Sequence, residues 1–457
     1  MKKTTIPVYK NQTLTLTITD LTYEGLGVGK VDGYPLFIAD ALPGEVCQVH
    51  VTKANKHYGY AKVIKRENDS ADRAPLSETA GVKSGTMPLA HLTYPAQLAF
   101  KKQQVINNLQ KQNLLEQTTV LDPLGMADPW HYRNKAQVPV GGTAGDLKTG
   151  IYRRGSHRLI PVQDYQIQYE TIDTTLQIVI NVLNQYQVSA YDETTQRGLL
   201  RHVVVREGYY THEQMVILVI NGEALPHEAE ITRDLEQQLP HLASLILNTN
   251  TQKTNVILGK TNRVLWGREV YDDQMFDLTF HISAPSFFQV NVTQAERLYQ
   301  EVLNRAGLTG NEVVIDAYCG IGTLSLCLAK HAKTVYGVEI VPDAIRMAKQ
   351  NAQDNQIENT HFVAGKAEQL MPQWVNDGLK PDVIVVDPPR KGLDPAFIQS
   401  AIDVAPEKII YVSCNPATLA RDLRQFVDAG YQLGDVQPVD MFPQTTHVET
   451  VMLLQQK

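Results

Sequence analysis

Hydrophobic and polar positions follow three different rhythms along this chain. Over the first 66 residues the period is two. Leu14-Thr15-Leu16-Thr17-Ile18-Thr19 is one such run and Val46 to Val51 another, with Gly25-Leu26-Gly27-Val28-Gly29 and Asp32-Gly33 as turn signals. Short strands punctuated this way predict a small closed β-barrel of the OB type over residues 1–66. Residues 71–88 are rich in Ser, Thr, Gly and Ala without strong periodicity and read as a linker or loop. From Tyr94 to about Leu115 the pattern becomes helical, with Leu98, Val105, Ile106 and Leu109 on an apolar face and Lys101 and Lys102 on a separate basic one. Residues 117–275 show strands of mixed spacing and few long helices, an α+β pattern that ends in a hairpin of Thr254–Gly259 and Val264–Gly267.

The third rhythm starts near residue 310, where apolar β-branched runs alternate with amphipathic stretches. Val313–Ala317, Thr334–Val338, His361–Val363, Asp382–Val386 and Lys408–Val412 read as five strands with helices between them. A last hairpin, roughly Tyr431–Pro438 and Val448–Leu454, completes a doubly wound, mostly parallel sheet of the Rossmann type. The chain of 457 residues is too long for one core. A multidomain protein is expected: a barrel (1–66), a central α+β domain (67–275) and a C-terminal α/β domain (276–457).

Chemistry in such a sheet collects at the carboxyl ends of the strands. Ile409-Ile410-Tyr411-Val412 ends abruptly in Ser413-Cys414-Asn415-Pro416, which offers a thiol to the cleft. A lone cysteine is more often a small buried residue; the other strand ends raise its standing. The first strand ends in Asp316-Ala317-Tyr318-Cys319-Gly320-Ile321-Gly322, whose glycines let backbone approach a ligand. Glu339, at the next strand end, is placed for a ribose diol. Both a dinucleotide and S-adenosylmethionine fit this pair of features; the glycine spacing departs from the dinucleotide fingerprint and favours S-adenosylmethionine. Asp387-Pro388-Pro389-Arg390 ends the fourth strand, with prolines stiffening the loop around Asp387. Upstream, Ser286-Phe287-Phe288-Gln289-Val290-Asn291 offers aromatics and amides. Downstream, His447-Val448-Glu449 carries a carboxylate into the last strand, which could return it towards Cys414.

The net charge of −7 argues against nucleic acid unless the basic residues are concentrated. They are. Lys53, Lys56, Lys62, Lys65 and Arg66 lie beside His57, Tyr58 and Tyr60. Tyr132-Arg133-Asn134-Lys135, the run Ile151-Tyr152-Arg153-Arg154-Gly155-Ser156-His157-Arg158, and Arg201-His202 with Arg206 repeat the mixture. Cations interleaved with aromatics suit phosphate contact and base stacking, so an RNA-binding surface is expected. The cysteines (Cys47, Cys319, Cys327, Cys414) are too few and scattered for a disulfide framework, and none stand at C-x-x-C spacing. The start Met1-Lys2-Lys3-Thr4-Thr5 lacks an apolar h-region, and no apolar run is long enough for a bilayer. A cytoplasmic protein with free thiols and no metal site is expected, with nothing that calls for a membrane or an obligate protein partner.

Five pieces in order, Ser-Phe-Phe-Gln-Val-Asn, Asp-Ala-Tyr-Cys-Gly-Ile-Gly-Thr, Asp-Pro-Pro-Arg, Ser-Cys-Asn-Pro and His-Val-Glu, resemble the RNA uracil-C5 methyltransferases of the TrmA/RumA type. Gly25-Leu26-Gly27-Val28-Gly29-Lys30 and Leu42-Pro43-Gly44-Glu45 resemble a TRAM domain, the RNA-binding barrel carried by 23S ribosomal RNA members of that family. The resemblance implies a class I methyltransferase domain and S-adenosylmethionine bound by Gln289, Tyr318, Glu339 and Asp387, with Gly320 in the glycine loop. It implies Cys414 as nucleophile, Glu449 as base, and a helix near 94–115 packed on the catalytic domain. Many relatives hold an iron–sulfur cluster on four cysteines. Here Ser77, Gly81 and Gly85 occupy the first region and Tyr165 stands near the second, so no cluster is expected.

The chemistry explains the residue types. Uracil carbon 5 is a poor nucleophile; thiolate addition to carbon 6 makes it an enolate carbon. Cysteine suits the task when its site lowers the thiol pKa, and a carboxylate must then remove the carbon 5 proton. A base in folded RNA must be splayed out to reach the thiol, hence the RNA-gripping domains. Two rivals compete with this reading: an amino-group methyltransferase in which Asp-Pro-Pro binds the exocyclic amine and Cys414 is structural, and a non-catalytic RNA-binding or ribosome-assembly protein. A transfer-RNA target also remains open at this point.

Overall fold

The computed structural model describes residues 6–76, 80–153, 156 and 158–456. Met1 to Thr5, Ser77, Arg154, Gly155 and His157, which figured in the sequence reading, lie outside the described residues. The chain divides into two compact units. The smaller takes in residues 1–104 with 152–156 and 442–447; the larger takes in 105–151, 157–441 and 448–457.

In the smaller unit, strands β1 (Thr13–Leu21), β2 (Gly27–Val31), β3 (Tyr34–Ala39), β4 (Val46–Ala54) and β5 (Gly59–Arg66) close a barrel in the order β1-β2-β3-β5-β4. The period-two pattern works as predicted: Leu16, Ile18, Leu36, Ile38, Cys47, Val49 and Val51 fill the interior. Gly29 is demanded by that filling, since a Cβ there would lie 2.2 Å from a methyl of Leu16. Residues 71–88, expected as a linker or loop, are irregular in their described part apart from one short helix, with several side chains anchored. Arg73 bridges Glu45 and Asp40, its Nη1 lying 2.9 Å from Asp40, and Met87 and Leu89 are buried beyond a short helix, α1 (Ala80–Ser84).

Helix α2 (Tyr94–Lys111) begins as the pattern predicts but does not sort its faces as expected. Lys101 is fully buried with Gln97, four residues before it, and donates to the Phe442 carbonyl at 3.0 Å. Gln97 exchanges hydrogen bonds with Gln444, and the Leu89 N–H donates to the Gln444 carbonyl. A buried ammonium is tolerated where it is hydrogen-bonded; the segment 442–447 supplies the acceptor.

The larger unit opens with β6 (Lys135–Thr143), β7 (Asp146–Tyr152), β8 (Leu159–Pro161), α3 (Glu170–Gln185), β9 (Leu200–Glu207), β10 (Gln214–Ile220), α4 (Glu228–Gln238), β11 (Leu242–Thr249) and β12 (Thr261–Gly267). The strands form a seven-stranded sheet, β12-β11-β10-β9-β6-β7-β8, with Ile172, Leu176, Val179, Leu183, Ile231 and Leu235 of the two helices packed in its core. The hairpin expected at 254–267 does not form: β12 pairs antiparallel with β11, and residues 254–257 are a loop held by side chains. Two arginines assigned to an RNA surface are structural. Arg201 donates to the carbonyls of Asn250 and Gln252, and Arg206 to those of Ser283, Ala284 and Ser286; both are only 2% exposed. They sit there because irregular backbone beside a sheet leaves carbonyls that need donors. The real hairpin is β13 (Val270–Met275) with β14 (Leu278–Ser283).

The rest follows the alternating pattern: α5 (Val292–Ala306), β15 (Val313–Ala317), α6 (Thr323–Ala329), β16 (Thr334–Glu339), α7 (Pro342–Asp354), β17 (Thr360–Ala364), α8 (Ala367–Asn376), β18 (Val383–Val386), α9 (Pro395–Val404), β19 (Lys408–Ser413), α10 (Pro416–Asp428), β20 (Gln432–Leu433), β21 (Gln437–Val439) and β22 (Glu449–Gln455). The sheet order is β17-β16-β15-β18-β19-β22-β20. Strands β15 to β19 pair in parallel, and β22 lies antiparallel to β19. Val105 and Leu109, in the second half of α2, are buried in the same core as Ile315, Ile384 and Tyr411. No described helix is long and apolar enough to cross a membrane.

Candidate active site

β15 ends at Ala317 and the chain turns at once. Tyr318 takes up left-handed backbone, φ 78°, which is uncommon for a residue with a side chain. It is held because the N–H groups of Tyr318 and Cys319 both donate to the Val338 carbonyl, each at 2.9 Å. Buried Asn351 holds the loop further along, donating to the Ile321 carbonyl at 3.0 Å. A Cβ at Gly322 would press within 3.2 Å of Phe362 and Ala348, whereas one at Gly320 would meet nothing within 4 Å. Gly320 thus faces open space through which a ligand can approach the backbone.

The parallel registers Ala317↔Val338 and Ala317↔Val386 set Tyr318 beside Glu339 on one side and Asp387 on the other. Glu339 is half-buried, with one oxygen accepting from the Val341 N–H at 3.0 Å. Asp316 is buried and takes the Ser325 hydroxyl; burial, with Glu339 nearby, pushes it up to about 6. Gln289 is buried on the segment before α5, where Asn134 donates to its carbonyl at 3.1 Å. The buried phenol of Tyr299 is near it, and its pKa is raised by burial, then by Asp387, Cys327 and Asp316. Gln289, Tyr318, Gly320, Glu339 and Asp387 are therefore gathered at one end of the sheet.

Cys414 and Glu449 meet through register. β19 and β22 pair as Lys408↔Gln455 through Ser413↔Thr450, and the Thr450 hydroxyl donates to the Ser413 carbonyl at 3.2 Å. One step further, Cys414 stands opposite Glu449. The carboxylate is buried and the thiol half-buried. Burial pushes Glu449 up to about 8, with Asp387 adding to the shift and Arg390 opposing it. Burial and Asp316 push Asp387 up to about 7. Burial, then Glu449 and Asp387, push the Cys414 thiol up to about 12, against the pull of Arg390. Two acids and poor solvation there outweigh the pull of one guanidinium on the thiol.

Residues 93–457 match the family model described as tRNA (Uracil-5-)-methyltransferase. The chain belongs to the tRNA (uracil-5-)-methyltransferase family. Residues 7–64 match the TRAM domain model, so the barrel of this family member is a TRAM barrel. Two relatives carry the name uncharacterized RNA methyltransferase. That of Lactiplantibacillus plantarum is 50% identical over 100% of both chains, and that of Enterococcus faecalis is 49% identical over 98% of both. A crystal structure of Pyrococcus abyssi tRNA (uracil-54, C5)-methyltransferase in complex with S-adenosyl-L-homocysteine is similar with a TM-score of 0.77 and 26% identity, over 96% of this chain and 100% of that one. The protein is an RNA methyltransferase with a Rossmann-like catalytic domain.

Sequence reasoning missed the side chains that hold this methyltransferase's loops. Asn415 donates to the Arg390 carbonyl at 3.0 Å, joining the two loops that carry Asp387 and Cys414. Buried Asp422 accepts from the Tyr411 hydroxyl at 2.7 Å and the Leu393 N–H at 2.9 Å. Only its place on the apolar face of an amphipathic helix, three residues from Leu419 and four from Phe426, marked Asp422 out beforehand. Among the described residues no group of three or more His, Cys, Asp or Glu is gathered as a metal site. Tyr165 packs on the core of the seven-stranded sheet.

Proposed function

We propose that this protein methylates carbon 5 of uracil in RNA, with 23S ribosomal RNA as substrate, through a covalent Cys414 adduct. The observation that carries the reading is the placement of Cys414 opposite Glu449, beside the Asp387–Arg390 loop. S-adenosylmethionine supplies, when bound, an electrophilic methyl group and a positive sulfonium that draws neighbouring acids and thiol towards their charged forms. The open side of Gly320, the half-buried Glu339 and the buried amide of Gln289 suit its backbone contacts, ribose and amino-acid end.

The half-buried Cys414 thiol gives its proton to solvent water and its sulfur bonds carbon 6, while the electrons of the broken carbon 5–carbon 6 π bond spread over carbon 5 and oxygen 4 as an enolate. The enolate electron pair forms the bond from carbon 5 to the methyl group as the methyl–sulfonium bond breaks, its electrons staying on sulfur, which leaves as a neutral thioether. Glu449 takes the carbon 5 proton; the freed electron pair restores the ring double bond and expels the Cys414 thiolate. Residues 1–66 and 67–275 serve as RNA-gripping domains for the catalytic domain at 276–457. We expect a cytoplasmic enzyme that works without an iron–sulfur cluster.

RNA carrying 5-fluorouridine tests the mechanism, because fluorine at carbon 5 cannot leave as a proton. The wild type should form an adduct stable to denaturing electrophoresis and Cys414→Ala should form none. An adduct with Cys414→Ala would sink the assignment. A transfer-RNA target is the second reading, favoured by the Pyrococcus abyssi structure, whose match over 96% of this chain takes in most of the barrel. Mapping 5-methyluridine in ribosomal and transfer RNA of a knockout decides between them.

A further inference from the structure

The barrel carries three aromatic rings on its outside. The first half of β5 alternates: Gly59 and Ala61 face inward while Tyr60 and Lys62 face solvent. Phe37 on β3 stands level with Tyr60 in the parallel β3–β5 pair. Tyr58, from the turn before β5, completes a triangle with centroid separations of 5.7 Å (Phe37–Tyr58), 5.8 Å (Phe37–Tyr60) and 5.8 Å (Tyr58–Tyr60). The two tyrosines meet edge to face at 87°, an arrangement that leaves ring surface free. They are 39% and 37% exposed. This is not core spilling outward, because the interior is already filled by a separate set of side chains, Leu16, Ile18, Tyr34, Leu36, Ile38 and Val49 among them.

Cations frame the rings. Lys53 is level with Tyr60 across the β4–β5 pair, and His50 with Lys62. Among the described residues no ion pair engages Lys53 or Lys62, whereas Lys65 is paired with Glu67 and Arg66 with Asp40 and Asp69. The structure thus separates the basic residues of this region into a spent set and an available set, and the available set surrounds the aromatics. Unspent positive charge beside a base-sized aromatic surface is what single-stranded RNA requires, since duplex bases present no faces.

We propose that Phe37, Tyr58 and Tyr60 form a stacking platform for unpaired bases of the substrate RNA, with Lys53 and Lys62 holding the adjoining phosphates. This rests on the RNA-methyltransferase reading and adds where, and in what form, the barrel engages its RNA.

The test uses the full-length protein and a short oligouridine, single-stranded or paired with its complement, followed by fluorescence anisotropy across a range of salt. The Tyr58→Ala/Tyr60→Ala protein should bind the single strand about ten-fold or more weakly, with an unchanged salt slope. Tyr58→Phe/Tyr60→Phe should bind like the wild type, because stacking does not need the hydroxyls. Lys62→Ala should instead lower the slope of log K against log salt by about 0.7. Thermal melting of each variant confirms that the barrel is folded. Unchanged binding by the double alanine variant, equal affinity for the duplex, or no binding of the single strand by wild type would each overturn the platform. None of these outcomes bears on Cys414, whose 5-fluorouridine adduct is read separately.

Discussion

The side-chain amide of Asn415 donates to the backbone carbonyl of Arg390 over 3.0 Å, so the loop after β19 holds the loop after β18. The same residue caps α10, its oxygen accepting from the Ala417 N–H at 3.0 Å. Substitution separates the two roles. Asn415→Ala loses both and should cost about 1 kcal/mol of stability, as cap removals do. Asn415→Asp keeps the acceptor and loses the donor. It should melt close to wild type yet turn over about ten-fold more slowly, because a small misplacement of reacting groups is expensive. Melting temperature against kcat for the pair checks this; parallel losses in both variants would show that the tether to Arg390 does nothing for turnover.

Glu449→Gln removes the proposed base but keeps the shape. The adduct should still form, and its breakdown should become the slow step, with turnover reduced about 10²- to 10⁴-fold. Unmodified RNA should then accumulate a protein–RNA band on a denaturing gel, which the wild type shows only weakly. Normal turnover by this variant would place the base elsewhere.

Acidity gives a third expectation. Asp387 and Glu449 sit above the ordinary carboxylate range because burial disfavours their ionised forms. The folded protein then holds protons that the unfolded chain releases near pH 4. Their contribution to stability is full below that pH and is lost as the pH rises through about 7 and 8. Urea unfolding of the ligand-free protein should show stability falling from pH 5.5 to 8.5, and Asp387→Asn should flatten the fall. A rise over this interval would contradict the burial argument.

What could be foreseen from the residues depended on how local the cause was. The strand ends were legible because a β-branched run that stops at a polar residue is a local signal: Val412 to Cys414 and Val386 to Asp387 both read correctly as ends. The barrel was legible for the same reason. That Cys414 faces Glu449 was not, since it follows from the register of β22 on β19, and a slip of one residue would have turned the carboxylate to the other face. Lys101 looked like part of a basic face because its acceptor, the Phe442 carbonyl, is 341 residues away in the chain. Arg201 and Arg206 misled in the same way, as their carbonyl partners lie 49 to 80 residues on.

Asp422 carries the last expectation. Its buried carboxylate takes the Tyr411 hydroxyl, the Leu393 N–H and the Arg421 guanidinium, whose Nε is 2.8 Å away. Arg421 in turn donates to the Lys391 carbonyl at 3.0 Å, so the loop that begins with Asp387 is held at its far end too. Asp422→Ala strands a buried hydroxyl and a buried N–H, each costing about 1–3 kcal/mol. It should therefore destabilise the protein by roughly 3 kcal/mol. Tyr411→Phe removes one donor and leaves the carboxylate its other partners, so it should cost only about 1 kcal/mol. Denaturant midpoints at constant m-value measure both. If the two variants lost the same stability, the tyrosine bond would be the whole of Asp422's contribution and the loop anchor would be energetically idle.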